Sequence, residues 1–191
     1  MSGSIFAAHT AVAVDKTKGE LERLLVRHGA AQYGTAHDDA NGFAVVYFAL
    51  GGRHIRLQVP IPKPDAFADP KLGSWQNKRA NHATPQTWDR LGEASRVAWV
   101  RAQWEQACRT RWRCMLLIVK AKLELIGMQL STVEREFLAD ITLPDGRSVG
   151  EWLRPGIEKA YLGGAMPPLL GEGPRNVQIR DATFLEEENE P

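Results

Sequence analysis

Between Arg96 and Lys122 the chain sets seven cations, Arg96, Arg101, Arg109, Arg111, Arg113, Lys120 and Lys122, against a single acid, Glu105. Cations repeated on one face of a helix can meet phosphates, and aromatic rings beside them can stack on bases. That combination holds single strands without reading their sequence. Counted at about 100° per residue from Val97, Arg109, Arg113 and Lys120 fall together at about 120–160°, with Trp99 at about 200°. The ridge therefore has two readings, a phosphate-contacting surface or an ordinary solvated helix face. Arg111 and Lys122 fall instead at about 320–340°, beside Trp104 and Met115. A cation there must snorkel, pair with an acid or meet a partner, because an unpaired buried charge is too costly. The two readings are a structural ion pair and a partner-binding surface, which includes a homo-oligomer contact.

A second set lies outside that helix. The run GFAVVYFALGGRHIRLQVPIP reads as a β-hairpin turning at Gly51-Gly52, since a two-residue Gly-Gly loop suits a primed turn. The register then pairs Leu50 with Arg53, and pairs Phe48 with Ile55, Val46 with Leu57 and Ala44 with Val59, three apolar pairs on one side of the sheet. The opposite face pairs Ala49 with His54, Tyr47 with Arg56 and Val45 with Gln58. Tyr47 and Arg56 are either an exposed aromatic–cation pair or a platform that stacks and grips a base. The proline-rich stretch from Pro60 to Arg90 adds Lys78 and Arg79, and Trp75 as a local anchor or a contact. A loop of this length is either functional or disordered, and a flexible insert is expected at about 60–90. At the end, Phe184-Leu185 precede a run of acids. Such a tail solubilises, competes with phosphate for the basic ridge, or offers a hydrophobic-acidic peptide to a partner.

Other chemistry leaves little trace. His37-Asp38-Asp39 has no second His or Cys at ligand spacing and reads as a solvated loop. Cys108 and Cys114, six apart on one helix, point about 240° from each other and cannot bridge. Asp145 in LPDGR is first a turn residue; Glu134, Glu136 and Asp140 read as the wet face of a short helix. No Walker sequence, GxGxxG, GxSxG, HExxH or CxxC occurs. No catalytic residue, metal ligand or cofactor is assigned.

These residues need elements to hold them. At 191 residues, with 43% apolar and 25% charged residues and a formal net charge of +1, the chain is expected to form one α+β domain over 1–180. A disordered acidic tail is expected over 181–191. Two lone thiols, and no stretch of about 18 uncharged apolar residues, point to a protein of the cytoplasm that does not cross a membrane. TAVAV, at Thr10 to Val14, reads as a short strand. Thr17 and Glu20 form a capping box for a helix that stops at Gly29. A stripe of Val97, Trp104, Cys108, Met115, Val119 and Ile126 marks one long helix from Glu93 to Gly127. Ser131 and Glu134 form another capping box, and ITLPDGRSV reads as a strand, a turn and a strand or extended segment. Ser148 and Glu151 cap a short turn at Trp152-Leu153, and a helix begins at Pro155. The fold expected is a small antiparallel sheet with a β-hairpin, packed on one long helix, with shorter flanking helices.

Four segments together, KGELERLLVRHGA, GGRHIRLQVPIP, RTRWRCMLLIVKAKLELI and EREFLADITLPDGRSVGEW, resemble a family of small proteins of tailed phages and prophages that has no assigned function. The likeness spans residues 12 to 170, outside the middle loop and the tail. It implies a viral setting among early or DNA-processing genes, and it carries over no catalytic residue. The expectation is a non-enzymatic phage accessory protein in the host cytoplasm that binds nucleic acid, single-stranded DNA foremost. Its contacts would be Arg109, Arg113, Lys120, Arg56, Tyr47, Trp99, Lys78 and Arg79. The alternative is a phage protein that inhibits or redirects a host or defence protein through Arg111, Lys122, Phe184 and Leu185.

Overall fold

The computed structural model describes residues 7–38, 41–68, 88 and 90–163. The chain divides into two compact units, Met1–Glu151 and Trp152–Pro191. In chain order the elements are α1 (Val14–Arg27), β1 (Gln32–Asp38), β2 (Phe43–Leu50), β3 (Arg53–Pro60), a 3-10 turn at Pro64–Phe67, and α2 (Glu93–Gly127). The short α3 (Val133–Phe137), a 3-10 turn at Leu138–Asp140, and α4 (Val149–Gly163) follow. The described part of the second unit is the remainder of α4, from Trp152.

The three strands form one antiparallel sheet in the order β1-β2-β3. The β2–β3 hairpin has the register expected from its Gly-Gly turn, with Phe48 opposite Ile55, Val46 opposite Leu57 and Tyr47 opposite Arg56. Gly51 and Gly52 both have positive φ, 57° and 73°, which a primed turn demands and side chains resist. The inner face, Ala44, Val46, Phe48, Ile55, Leu57 and Val59, is buried against Leu21, Leu24 and Leu25 of α1 and Trp112, Leu116, Val119 and Leu123 of α2. Phe137 closes one end of this core, edge-on to Phe48 with ring centroids 5.4 Å apart.

Several local expectations need correction. TAVAV is not a strand: residues 11–13 are irregular and α1 already starts at Val14. Thr17 is therefore inside the helix and fully buried, and its hydroxyl donates to the Ala13 carbonyl instead of capping. The loop assigned to His37 is part of β1, which pairs along its whole length with β2. Thr132, not Ser131, caps α3, accepting from the Arg135 amide at 3.2 Å. Pro155 lies inside α4 and does not start it. At the start of α4 the Ser148–Glu151 box does form: the Ser148 amide donates to Glu151 Oε2 at 2.6 Å and the Glu151 amide to Ser148 Oγ at 3.1 Å.

The long helix has the bounds its periodicity predicts, yet its buried face is rotated from the expected one. Val97 is 62% exposed, while Cys108, Trp112, Leu116, Val119 and Leu123 carry the contact with the sheet side. A second buried patch, Ala107 and Thr110, faces residues 7–10. There Gln106 Nε2 donates to the carbonyls of Ala8 and Thr10, both at 3.0 Å, and Thr110 Oγ1 to that of Ala7. A helix covered on two sides loses the single apolar stripe that a wheel can find.

Candidate nucleic-acid interface

The expected ridge is real in position but not open to solvent along its length. Arg113 Nη1 meets Glu20 Oε2 of α1 at 2.5 Å. Arg109 donates through Nε and Nη2 to Gln106 Oε1, at 3.1 and 2.7 Å, with Glu105 Oε2 farther off at 3.9 Å. Lys120 is exposed. The reason is α1, which lies alongside α2 and covers the flank that carries these cations.

That arrangement builds a site no single helix contains. Arg23 and Arg27 of α1, one turn apart, face Arg113 and Lys120 of α2 across a groove of about 210 Å³ floored by Leu24, Leu116 and Leu117. Glu20 is the one acid in its lining, and it is held by Arg113. Arg23, Arg27 and Lys120 make no ion pair or side-chain hydrogen bond with the described residues. Like charges gathered around a concave surface focus the field and raise the local concentration of anions. Sequence reasoning passed over Arg23 and Arg27 because α1 by itself carries mixed charges.

The other expected contacts lie elsewhere. Tyr47 and Arg56 sit on the outer face of the sheet, opposite in register, whereas α1 and α2 cover the inner face. Arg56 Nη2 is bound to Glu151 Oε2 at 2.9 Å, tying β3 to the first turn of α4. Tyr47 remains 48% exposed, and its ring lies over Gly34 of β1, where a Cβ would collide with the phenol. Trp99 packs edge-on to Trp88 at 5.1 Å. Lys78, Arg79, Phe184 and Leu185 lie outside the described residues.

Arg111 is exposed despite its wheel position. Lys122 has internal partners: its Nζ donates to the Glu136 carbonyl and stands 4.8 Å over the Phe137 ring. Asp140 lies near the same ammonium, but burial pushes its carboxyl above the usual carboxylate range and Lys122 offsets that only in part. The neighbouring acids are also engaged, Glu134 with Arg53 at 3.3 Å and Glu136 with Ser131 at 2.5 Å. Asp145 accepts from Arg147 at 2.7 Å within its turn, which holds its carboxyl below the ordinary value.

The Cys108 thiol is not set up as a nucleophile. Burial pushes Cys108 up to about 11, against the pull of Arg111 and Arg109, so little thiolate exists near neutrality. Among the described residues no three His, Cys, Asp or Glu side chains gather as metal ligands, and no helix is long and apolar enough to cross a membrane. No family model matches the chain, and comparison with curated proteins and with solved structures also found no match.

Proposed function

We propose that this is a non-enzymatic accessory protein of a tailed phage or prophage that binds single-stranded DNA in the host cytoplasm through the α1–α2 groove. The observation that carries the reading is the four-cation lining of Arg23, Arg27, Arg113 and Lys120, three of them without an acid partner among the described residues. A phosphodiester chain fits the chemistry: phosphates meet the guanidinium and ammonium groups, and sugars lie on the Leu24, Leu116 and Leu117 floor. Arg113 and Lys120 keep the roles the sequence suggests, Arg109 continues the cation line, and Arg23 and Arg27 join them. Tyr47 and Arg56, on the outer face of the sheet, are not part of this surface.

The test is fluorescence anisotropy of a labelled single strand with the protein and with an Arg23→Ala/Arg27→Ala/Lys120→Ala variant. Binding at low salt that the variant loses supports the reading, and no binding at micromolar protein removes it. A second reading, capture of a host or defence protein, has its own observation in Tyr161 and Leu162 of α4, 88% and 90% exposed. Under that reading the protein retains one partner in pull-downs, and Tyr161→Ala/Leu162→Ala releases it while DNA has no effect.

A further inference from the structure

One turn of α2 beyond the groove, Arg109 borders a cavity of about 420 Å³ at the start of α1. Its walls bring together three ring systems from two elements: His37 at the end of β1, and Trp104 and Trp112 of α2. Ala13, Val14, Ile61 and Cys108 supply the rest of the apolar lining, and Glu105 puts one carboxylate in the wall beside Arg109. Volumes of this size accept small planar molecules.

The walls are held in place. Trp104 Nε1 donates to the Pro62 carbonyl at 2.8 Å. Lys18 Nζ stands 4.9 Å over the Trp112 ring and 2.8 Å from His37 Nε2, so one ammonium fixes two of the three rings. The His37 and Trp112 rings are tilted at 51° with centroids 6.2 Å apart. At the rim, Arg109 is oriented by Gln106, which takes two of its donors. Its Nη1 stands 3.9 Å from Glu105 Oε2, so an oxyanion at the rim competes with that carboxylate for the guanidinium's remaining donors. Pre-oriented rings beside a pre-oriented cation match a planar group that carries a phosphate.

We infer that this cavity receives one unstacked nucleobase of the strand lying in the α1–α2 groove, with Arg109 on that nucleotide's phosphate. The inference rests on the nucleic-acid reading, and it adds a base-binding end to a groove that otherwise meets only the backbone. Arg109, Arg113 and Lys120 form the continuous line between the two: the first borders the cavity, and the other two line the groove. A strand bound this way has one nucleotide turned out of its stack, which single strands permit at low cost.

Two measurements on the full chain separate this inference from the function it extends. In the first, deoxyadenosine monophosphate is titrated into isotope-labelled protein while the indole N–H signals of Trp104 and Trp112 are followed. In the second, a single strand carrying 5-iododeoxyuridine is bound, cross-linked by light and mapped by mass spectrometry. The expected result is a saturable shift of both indole signals and cross-links at His37, Trp104 or Trp112. Removing one stacking surface, in Trp104→Ala, should weaken strand binding about tenfold, in line with the usual worth of a base–aromatic stack. A strand that binds without moving either indole, and cross-links only to α1–α2 groove peptides, overturns the base pocket and leaves the groove standing. Mononucleotide shifts without strand binding overturn the groove reading and keep the pocket as a free-nucleotide site. Silence in both measurements overturns both.

Discussion

Glu20 and Arg113 meet at 2.5 Å between α1 and α2, with side chains only 29% and 27% exposed. This contact bridges the two helices, which their buried apolar faces already hold together, and places the single acid of the groove against one of its four cations. The pair thus adds a little to the helix–helix contact and subtracts from the positive potential of the groove.

Glu20→Gln separates those two effects. It should lower stability by about 1 kcal/mol or less, as partly exposed ion pairs do, and strengthen binding of a single strand several-fold by freeing Arg113. Chemical denaturation and anisotropy measure the two sides. Weaker strand binding in a folded Glu20→Gln protein would show that Arg113 takes no part in the contact.

The sheet has its own dependent pair. Because the Tyr47 ring occupies the space above Gly34, Gly34→Ala forces the phenol aside and should destabilise the protein by roughly 1–3 kcal/mol, the usual cost of overpacking. In the Gly34→Ala/Tyr47→Ala double variant most of that loss should disappear, giving a coupling that a double-mutant cycle reads directly. Additive losses would mean that the ring does not rest on Gly34.

Gln129 ends α2 with φ at 62°, in the left-handed region, where its amide donates to the Ile126 carbonyl and that of Leu130 to the Leu125 carbonyl. A side chain there costs energy that glycine avoids. Gln129→Gly should stabilise by about 1 kcal/mol, raising Tm by about 2–4 °C in a chain of this size. An unchanged or lower Tm would place the cost elsewhere.

Asp140 gives a pH dependence. Burial raises its pKa in the folded protein, so the folded state holds this proton more tightly than the unfolded chain does. The stabilising contribution is complete below the ordinary carboxylate value of about 3.9 and is lost as pH rises through the folded value. Asp140→Asn should therefore be more stable than the parent at pH 7, with the advantage fading on acidification to about pH 3.5. Thermal unfolding at both pH values checks this; an advantage that grows on acidification would reverse the assignment.

Features set by local chemistry were legible in the sequence. Gly51-Gly52 dictates a primed turn, and the turn dictates every cross-strand pair of β2 and β3. The capping box of Ser148 and Glu151 and the ends of α2 follow from residue type and spacing in the same way. The third strand was hidden because its inner face, Tyr33, Thr35 and His37, is polar. Those residues do not enter the core but meet α1, where Tyr33 donates to Glu22 at 3.0 Å and Lys18 contacts His37 at 2.8 Å. The candidate site was half visible. Arg113 and Lys120 stand out on the wheel of α2, but their partners Arg23 and Arg27 belong to another helix, and only packing brings the four to one groove.

The most direct test of that groove is the salt dependence of strand binding for the parent and the Arg23→Ala/Arg27→Ala/Lys120→Ala variant. On single strands each neutralised phosphate contributes about 0.7 to the slope of log K against log salt. Three lost phosphate contacts should therefore flatten the slope by about 2 and weaken binding steeply at low salt. A variant that binds with the parent's affinity and slope would contradict the account, because the strand would then lie on some other surface.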